Sequence, residues 1–170
     1  RRAGLLARAG REEEALEVLR PLLERRPNAY DVHFLQAQIL LRVARPADAL
    51  RSLGVCMGRS PGPEVVLLTG IALSLAGDSN GGKRLLRAVH ERFPTDRLVQ
   101  LWLIACTLED GEKESAAEYA ARFLAAAAPD RVAAEIEETL ADGYMPEAIR
   151  ERVTRWVVSA ASRHAERSKS

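Results

Sequence analysis

The stretch "TGIALSLAGDSNGGKRLLRAVHERFP", residues 69 to 94, carries two competing readings, and choosing between them decides the fold. Gly77, Gly82 and Lys83 stand at the G-x-x-x-x-G-K spacing of a phosphate-binding loop. Such a loop works because a strand delivers backbone N–H groups into a nest, a lysine reaches the phosphates, and a following Ser or Thr hydroxyl holds magnesium. Here the segment before Gly77 has helical apolar spacing, and Arg84 follows Lys83. Two of the three requirements fail. The alternative uses the same residues: Gly77 lets a first helix turn back, Asp78 or Ser79 caps a second, and Lys83 faces solvent. Gly82 then lies within a helix, where glycine costs about 1 kcal/mol relative to alanine. Either the two helices approach closely there or the second begins late.

The same punctuation recurs along the chain. Pro27, Pro61, Pro94 and Pro129 each close an apolar segment, at separations of 34, 33 and 35 residues. Gly10, Gly77 and Gly111 precede their closing prolines by 17, 17 and 18 residues. A period near 34 divided midway by glycine means two short helices per repeat. Within the halves, apolar residues fall at i, i+3, i+4 and i+7, as in Ala15, Leu16, Leu19, Leu22 and Leu23, which makes a helical stripe. Glu12, Glu13 and Glu14 open that helix and Arg25 and Arg26 close it, the placement the helix dipole favours. The pattern predicts helices at about 2–9, 12–25, 29–43, 46–58, 63–76, 80–92, 96–109, 112–127, 131–141 and 146–165, and no strand.

These residues resemble the tetratricopeptide repeat family, in a divergent, bacterial-type form. Gly10, Ala15, Leu19 and Pro27 carry the resemblance in the first unit; Ala37, Ala49, Leu53 and Pro61 carry it in the second, with Ala44 where glycine is usual. Gly70, Gly77, Leu86 and Pro94 make the third, with Gly82 in place of alanine, and Ala105, Gly111, Ala116 or Ala117, Phe123 and Pro129 the fourth, with one inserted residue. The resemblance implies an all-α fold: a right-handed α-α superhelix of four helix-turn-helix repeats over 1–129, the first truncated at its N-terminus. Residues 130–165, with Gly143 and Ala148, are expected to form a degenerate fifth repeat or a capping helix pair, and 166–170 a polar frayed tail. Because the first unit lacks its opening turn, the chain is expected to be a piece of a longer protein.

Composition narrows the function classes. Among 170 residues, 47% are hydrophobic and 29% charged, with a net charge of +1. Such a chain can bury a core and has no polyelectrolyte character. Nucleic acid is an unexpected partner, since the arginines at 150, 152, 155 and 163 are interspersed with Glu147 and Glu151 and lack interleaved aromatics for base stacking. No apolar run has transmembrane length, so membrane insertion is not expected, and a cytoplasmic location is. Cys56 and Cys106 belong to no C-x-x-C pair and are expected to be buried free thiols.

No catalytic constellation stands out. His33, His90 and His164 fall on separate helices without metal-ligand spacing, so neither a metal site nor a cofactor is expected. His90 is expected at the surface near a helix C-terminus. Glu112, Glu114, Glu118, Glu137 and Glu138 read as solvated helix faces.

Paired helices that cannot bury their apolar faces alone stack on one another and present a surface lined by the first helix of each pair. The resemblance therefore implies a protein-interaction scaffold, not an enzyme, holding a peptide or amphipathic helix of a partner. Projected onto this sequence, the groove positions are Phe34, Gln38, Leu41 and Arg42; Leu67, Ile71 and Ser74; and Trp102, Cys106 and Glu109. Phe34 and Gln38 stand where family members that clamp a C-terminal carboxylate carry Lys and Asn, so that clamp is not expected. Trp102 is the expected anchor, as aromatics carry much interface energy, and Trp156 is expected to pack the terminal helix. A different reading makes this segment the regulatory or docking arm of a larger enzyme or of secretion or polysaccharide machinery. Self-association through the truncated first repeat is a third.

Overall fold

The computed structural model describes residues 2–59 and 61–167, with side chains through 163. Ten α-helices and no strand occur among them: α1 (Arg2–Arg8), α2 (Glu12–Arg25), α3 (Tyr30–Arg42), α4 (Pro46–Met57), α5 (Pro63–Leu75), α6 (Ser79–Arg92), α7 (Arg97–Glu109), α8 (Lys113–Ala125), α9 (Val132–Thr139) and α10 (Glu147–Arg167). The helix α10 runs two residues into the expected polar tail; the rest of that tail and the His164 side chain lie outside the described residues.

The turns inside the helix pairs share one cause. After α1, α3, α5 and α7 the second residue past the helix end takes positive φ: Gly10 at 71°, Ala44 at 55°, Gly77 at 96° and Gly111 at 77°. In each turn the following N–H reaches back five residues, as Asp78 N does to Leu73 O at 2.9 Å and Arg45 N to Leu40 O at 2.8 Å. This Schellman closure satisfies carbonyls that the helix end leaves open. Three of the four positions are glycine, which enters the left-handed region without steric cost; Ala44 enters it despite its Cβ.

The helices form two compact units, residues 1–85 and 86–170, with the boundary inside α6. In the first, α1 packs on α2, α2 on α3, α3 on α4 and α4 on α5. Ala3, Ala7, Ala15, Leu19, Val32 and Ile39 make a core cluster, and Ala37, Ala49, Leu53 and Cys56 are completely buried. Small residues at the helix crossings let the backbones approach. The extreme case is Gly82: a Cβ there would lie 2.7 Å from Gly70 O and 2.9 Å from Ser74 N, with Ser74 Oγ closer still. The second helix of this pair begins on time, at Ser79, capped by Asp78 Oδ1 accepting from Gly81 N at 2.8 Å. Of the two explanations for Gly82, close approach is the one that holds. The expectation for Lys83 is corrected too: the residue directly after the Gly82 contact is only 4% exposed.

In the second unit α7 packs on α8, and α10 packs against α7, α8 and α9. Every residue of α7 from Val99 to Thr107 is buried, the behaviour of a helix surrounded on all sides. The helix α9 is eight residues long, too short to reproduce a repeat helix. Glu135 holds its start, accepting from Ala128 N at 2.9 Å and pairing with Arg97 at 2.6 Å; Arg97 in turn lies 4.1 Å over the Phe123 ring. These contacts, the Ala128 bond first, hold the Glu135 carboxyl below its usual pKa. His90 departs from expectation. It is 6% exposed, packed edge-on against Tyr119 at 5.4 Å, because its face of α6 turns toward α8.

Candidate functional site

Side chains four apart on a helix stand above one another, so Tyr30, Phe34, Gln38 and Arg42 form one row along α3. All four are half-buried. Tyr30 and Phe34 stack with centroids 6.1 Å apart and planes 11° from parallel, and Arg42 Nη1 donates to Ala7 O, the last turn of α1, at 3.3 Å. The row thus offers an aromatic pair at one end, an amide in the middle and a guanidinium fixed at the other. Tyr30 was absent from the sequence-derived set; its place one turn before Phe34 was the signal that could have found it.

The other projected positions separate by burial. Leu67 on α5 is half-buried. Leu41, Ile71, Trp102 and Cys106, at 2%, 0%, 1% and 3% exposure, are interior residues; a partner cannot touch them without moving a helix. Ser74 is half-buried, but its hydroxyl donates to Gly70 O at 3.0 Å and abuts Gly82, so it serves the α5–α6 contact. Glu109 is exposed at the end of α7 and pairs with Arg152 of α10 at 3.8 Å. Trp102 therefore anchors the second unit from within. Trp156 is half-buried on α10. Both cysteines are free and buried, and burial pushes the Cys56 thiol pKa up.

A second feature lies on a different face of α3. His33, Gln36 and Leu40 point about 140° around the helix from the Phe34 row, at 100° per residue, and face a cleft of about 390 Å³ between α2, α3 and α4. Its charges cancel locally. Glu17 pairs with Arg20, and Asp48 with both Arg45 and Arg51; Arg45, and next Arg51, hold the Asp48 carboxyl below its usual pKa, against the opposing cost of burial. Ser52 Oγ donates to Gln36 Oε1 at 2.7 Å, and His33 Nε2 lies 2.7 Å from Pro27 O. A cleft of paired charges with little apolar lining lacks the character of a small-molecule site.

The His90 ring is held neutral. Arg122 Nη1 stands 2.7 Å from His90 Nε2, and a guanidinium only donates, so the ring accepts there. Burial first, and the Arg122 charge second, lower the His90 pKa. The Asp96 and Glu91 carboxylates oppose this lowering, but more weakly. Among the described residues no group of three His, Cys, Asp or Glu could hold a metal ion, and no helix is long and apolar enough to cross a membrane.

No family model matches the chain and no curated protein matches its sequence. Two crystal structures of MamA resemble it in fold. One, at 15% identity and a TM-score of 0.67, covers 99% of this chain and 97% of the other; the second, at 14% identity and the same TM-score, covers 98% and 90%. At that identity the likeness establishes architecture alone: the chain has an all-α, tetratricopeptide-like helical-repeat fold.

Proposed function

We propose that this protein is an interaction scaffold that binds a peptide or amphipathic helix of a partner protein along the Tyr30–Phe34–Gln38–Arg42 row of α3, together with the half-buried Leu67 of α5. The observation that carries the reading is the row itself. An aromatic pair, an amide and an arginine aligned at one-turn spacing and left partly exposed combine residue types that anchor interfaces with a spacing that matches a helical or extended partner. The paired charges of the nearby cleft and the neutral, buried His90 give no support to a catalytic alternative.

The test is selection of peptides from a displayed random library against the purified chain, followed by affinity measurement on Phe34→Ala/Gln38→Ala. Both side chains are half-buried, so the variant is expected to fold. Truncating an anchoring aromatic costs about 2 kcal/mol, which is roughly 30-fold in Kd. Selected peptides that bind the variant as tightly as the parent would refute the reading. The buried Trp102 and Ile71 are unsuitable for this experiment, because their loss changes the core as well as any surface.

A further inference from the structure

The helix α10 is poorly secured for its length. Of residues 147–163, only Val153 and Val157, one turn apart, are buried, and Val158 is 38% exposed. Among the described residues, its ion pairs with the rest of the unit, Arg152 to Glu109 at 3.8 Å and Arg150 to Glu137 at 3.5 Å, are long and partly solvated, so they hold α10 weakly, although reversing one charge would turn attraction into repulsion. Meanwhile Thr154 Oγ1 and Trp156 Nε1 are buried without a hydrogen-bond partner among the described residues, as is Trp102 Nε1 on α7. Buried polar atoms left unmatched oppose the burial that seats a helix. The contrast with α7, which α10 covers, lies in burial: α7 has nine consecutive buried residues.

Two fully buried valines, with Ile149 and Trp156 only half-buried, weak ion pairs and unmatched polar atoms describe an element that opens locally before the rest unfolds. Beneath it lies a surface of defined chemistry. It accepts two branched aliphatic side chains one turn apart, and Glu109 and Glu137 give it an acidic edge met here by Arg152 and Arg150.

We propose that the surface of α7, α8 and α9 under α10 is a helix-binding site, occupied in cis by α10 and open in exchange to an amphipathic helix of a partner protein. That helix carries branched aliphatic residues at i and i+4 and a basic residue directly before the first, to meet Glu109. This rests on the scaffold reading and adds a second, self-occupied site in the other unit; α10 then sets the threshold a partner must exceed.

Hydrogen exchange of the full chain tests the opening without any substitution. The amides of α10 are expected to exchange at least tenfold faster than those of α7 and α8; equal protection, as in a helix that opens only with global unfolding, overturns the proposal. Binding is read with a fluorescent peptide of the sequence 147–163. It is expected to bind the full-length Val153→Ala/Val157→Ala variant at least tenfold more tightly than the parent chain. The same peptide carrying Arg152→Glu is expected to lose affinity and to regain it on chains bearing Glu109→Arg, a reversal that leaves the core untouched. No gain on the valine variant while it remains folded, no charge reversal, or a dimer at working concentration, meaning the seat takes a second copy's α10, each sinks the idea. Phe34→Ala/Gln38→Ala must leave this binding unchanged; a loss there would place the peptide on α3 and overturn the proposal. Library peptides insensitive to Phe34, alongside the expected α10 results, would instead remove only the earlier reading.

Discussion

Replacing Gly82 by alanine sets two physical effects of opposite sign against each other. Gly82 lies inside α6, where alanine is preferred by about 1 kcal/mol; on propensity alone Gly82→Ala stabilises. Packing says otherwise. The new Cβ would stand 2.7 Å from Gly70 O and 2.9 Å from Ser74 N, both backbone atoms, when ordinary contact begins at 3.4 Å. Relief requires α5 and α6 to separate by about 0.7 Å, and a gap of that size forfeits a quarter to a half of the dispersion well for every atom pair along the contact. Overpacking of this kind costs about 1–3 kcal/mol, and a clash with backbone cannot be relieved by a rotamer change, so the upper part of that range applies. Offsetting the propensity gain leaves a net loss of about 2 kcal/mol, which for a chain of this size is a fall in Tm of about 4–8 °C. Thermal and urea unfolding followed by circular dichroism at the helix band measure it. The double variant Ser74→Ala/Gly82→Ala removes the hydroxyl but neither backbone contact, and is expected to recover only part of the loss. A Tm equal to or above the parent's in the single variant would show that the helices stand farther apart than described.

Two further outcomes follow from particular residues. Ala44 holds φ at 55° in a turn whose three counterparts are glycine; relief of left-handed strain of about 1–2 kcal/mol, less the added entropy of the unfolded chain of about 0.4–1 kcal/mol, makes Ala44→Gly stabilising by roughly 0.5–1 kcal/mol, and a fall in urea midpoint would contradict it. His90 titrates below its ordinary value in the fold because of burial and then Arg122, so as pH drops below about 6.5 the unfolded chain takes a proton the native ring refuses; stability is expected to decline through the window between that value and the lowered native pKa, by at most about 1.4 kcal/mol per pH unit, and urea midpoints for His90→Gln should lack this component between pH 7 and 5.

What could be read from the chain in advance was whatever is encoded locally. Helix ends depend on a few adjacent residues, and the glycines with positive φ and the prolines past each second helix mark them within one or two positions along most of the chain. The widest departures are two residues: α8 ends at Ala125 instead of near 127, α9 at Thr139 instead of near 141, and α10 runs to Arg167 instead of near 165. Gly82 was legible as an anomaly, but only the distance to Gly70 O decides which of two local explanations applies.

Burial of charged and aromatic side chains was the part that local pattern could not carry, since it depends on which neighbour faces each helix. Lys83 and His90 both lie on α6, and both look like surface residues when only their own helix is considered: a lysine after two glycines, a histidine in a polar last turn. Each is covered for a different tertiary reason. At Lys83 the helix stands close against α5 through the neighbouring Gly82, and the lysine beside that contact is 4% exposed. At His90 an aromatic and an arginine on α8 supply an edge contact and a donor, so the ring is worth burying neutral. The projected groove positions Trp102 and Cys106 are interior by the same logic. A repeat register assigns a side chain to a face, and that face is a binding surface only while nothing sits on it. In α7 every position from 99 to 107 is covered, whereas in α3 the row through Phe34 remains half-open. The register was common to both helices; the neighbours were not. Where a solenoid position binds is therefore decided by what the chain stacks beside it, which is why the candidate row on α3 and the self-occupied seat under α10 call for separate variants and separate assays.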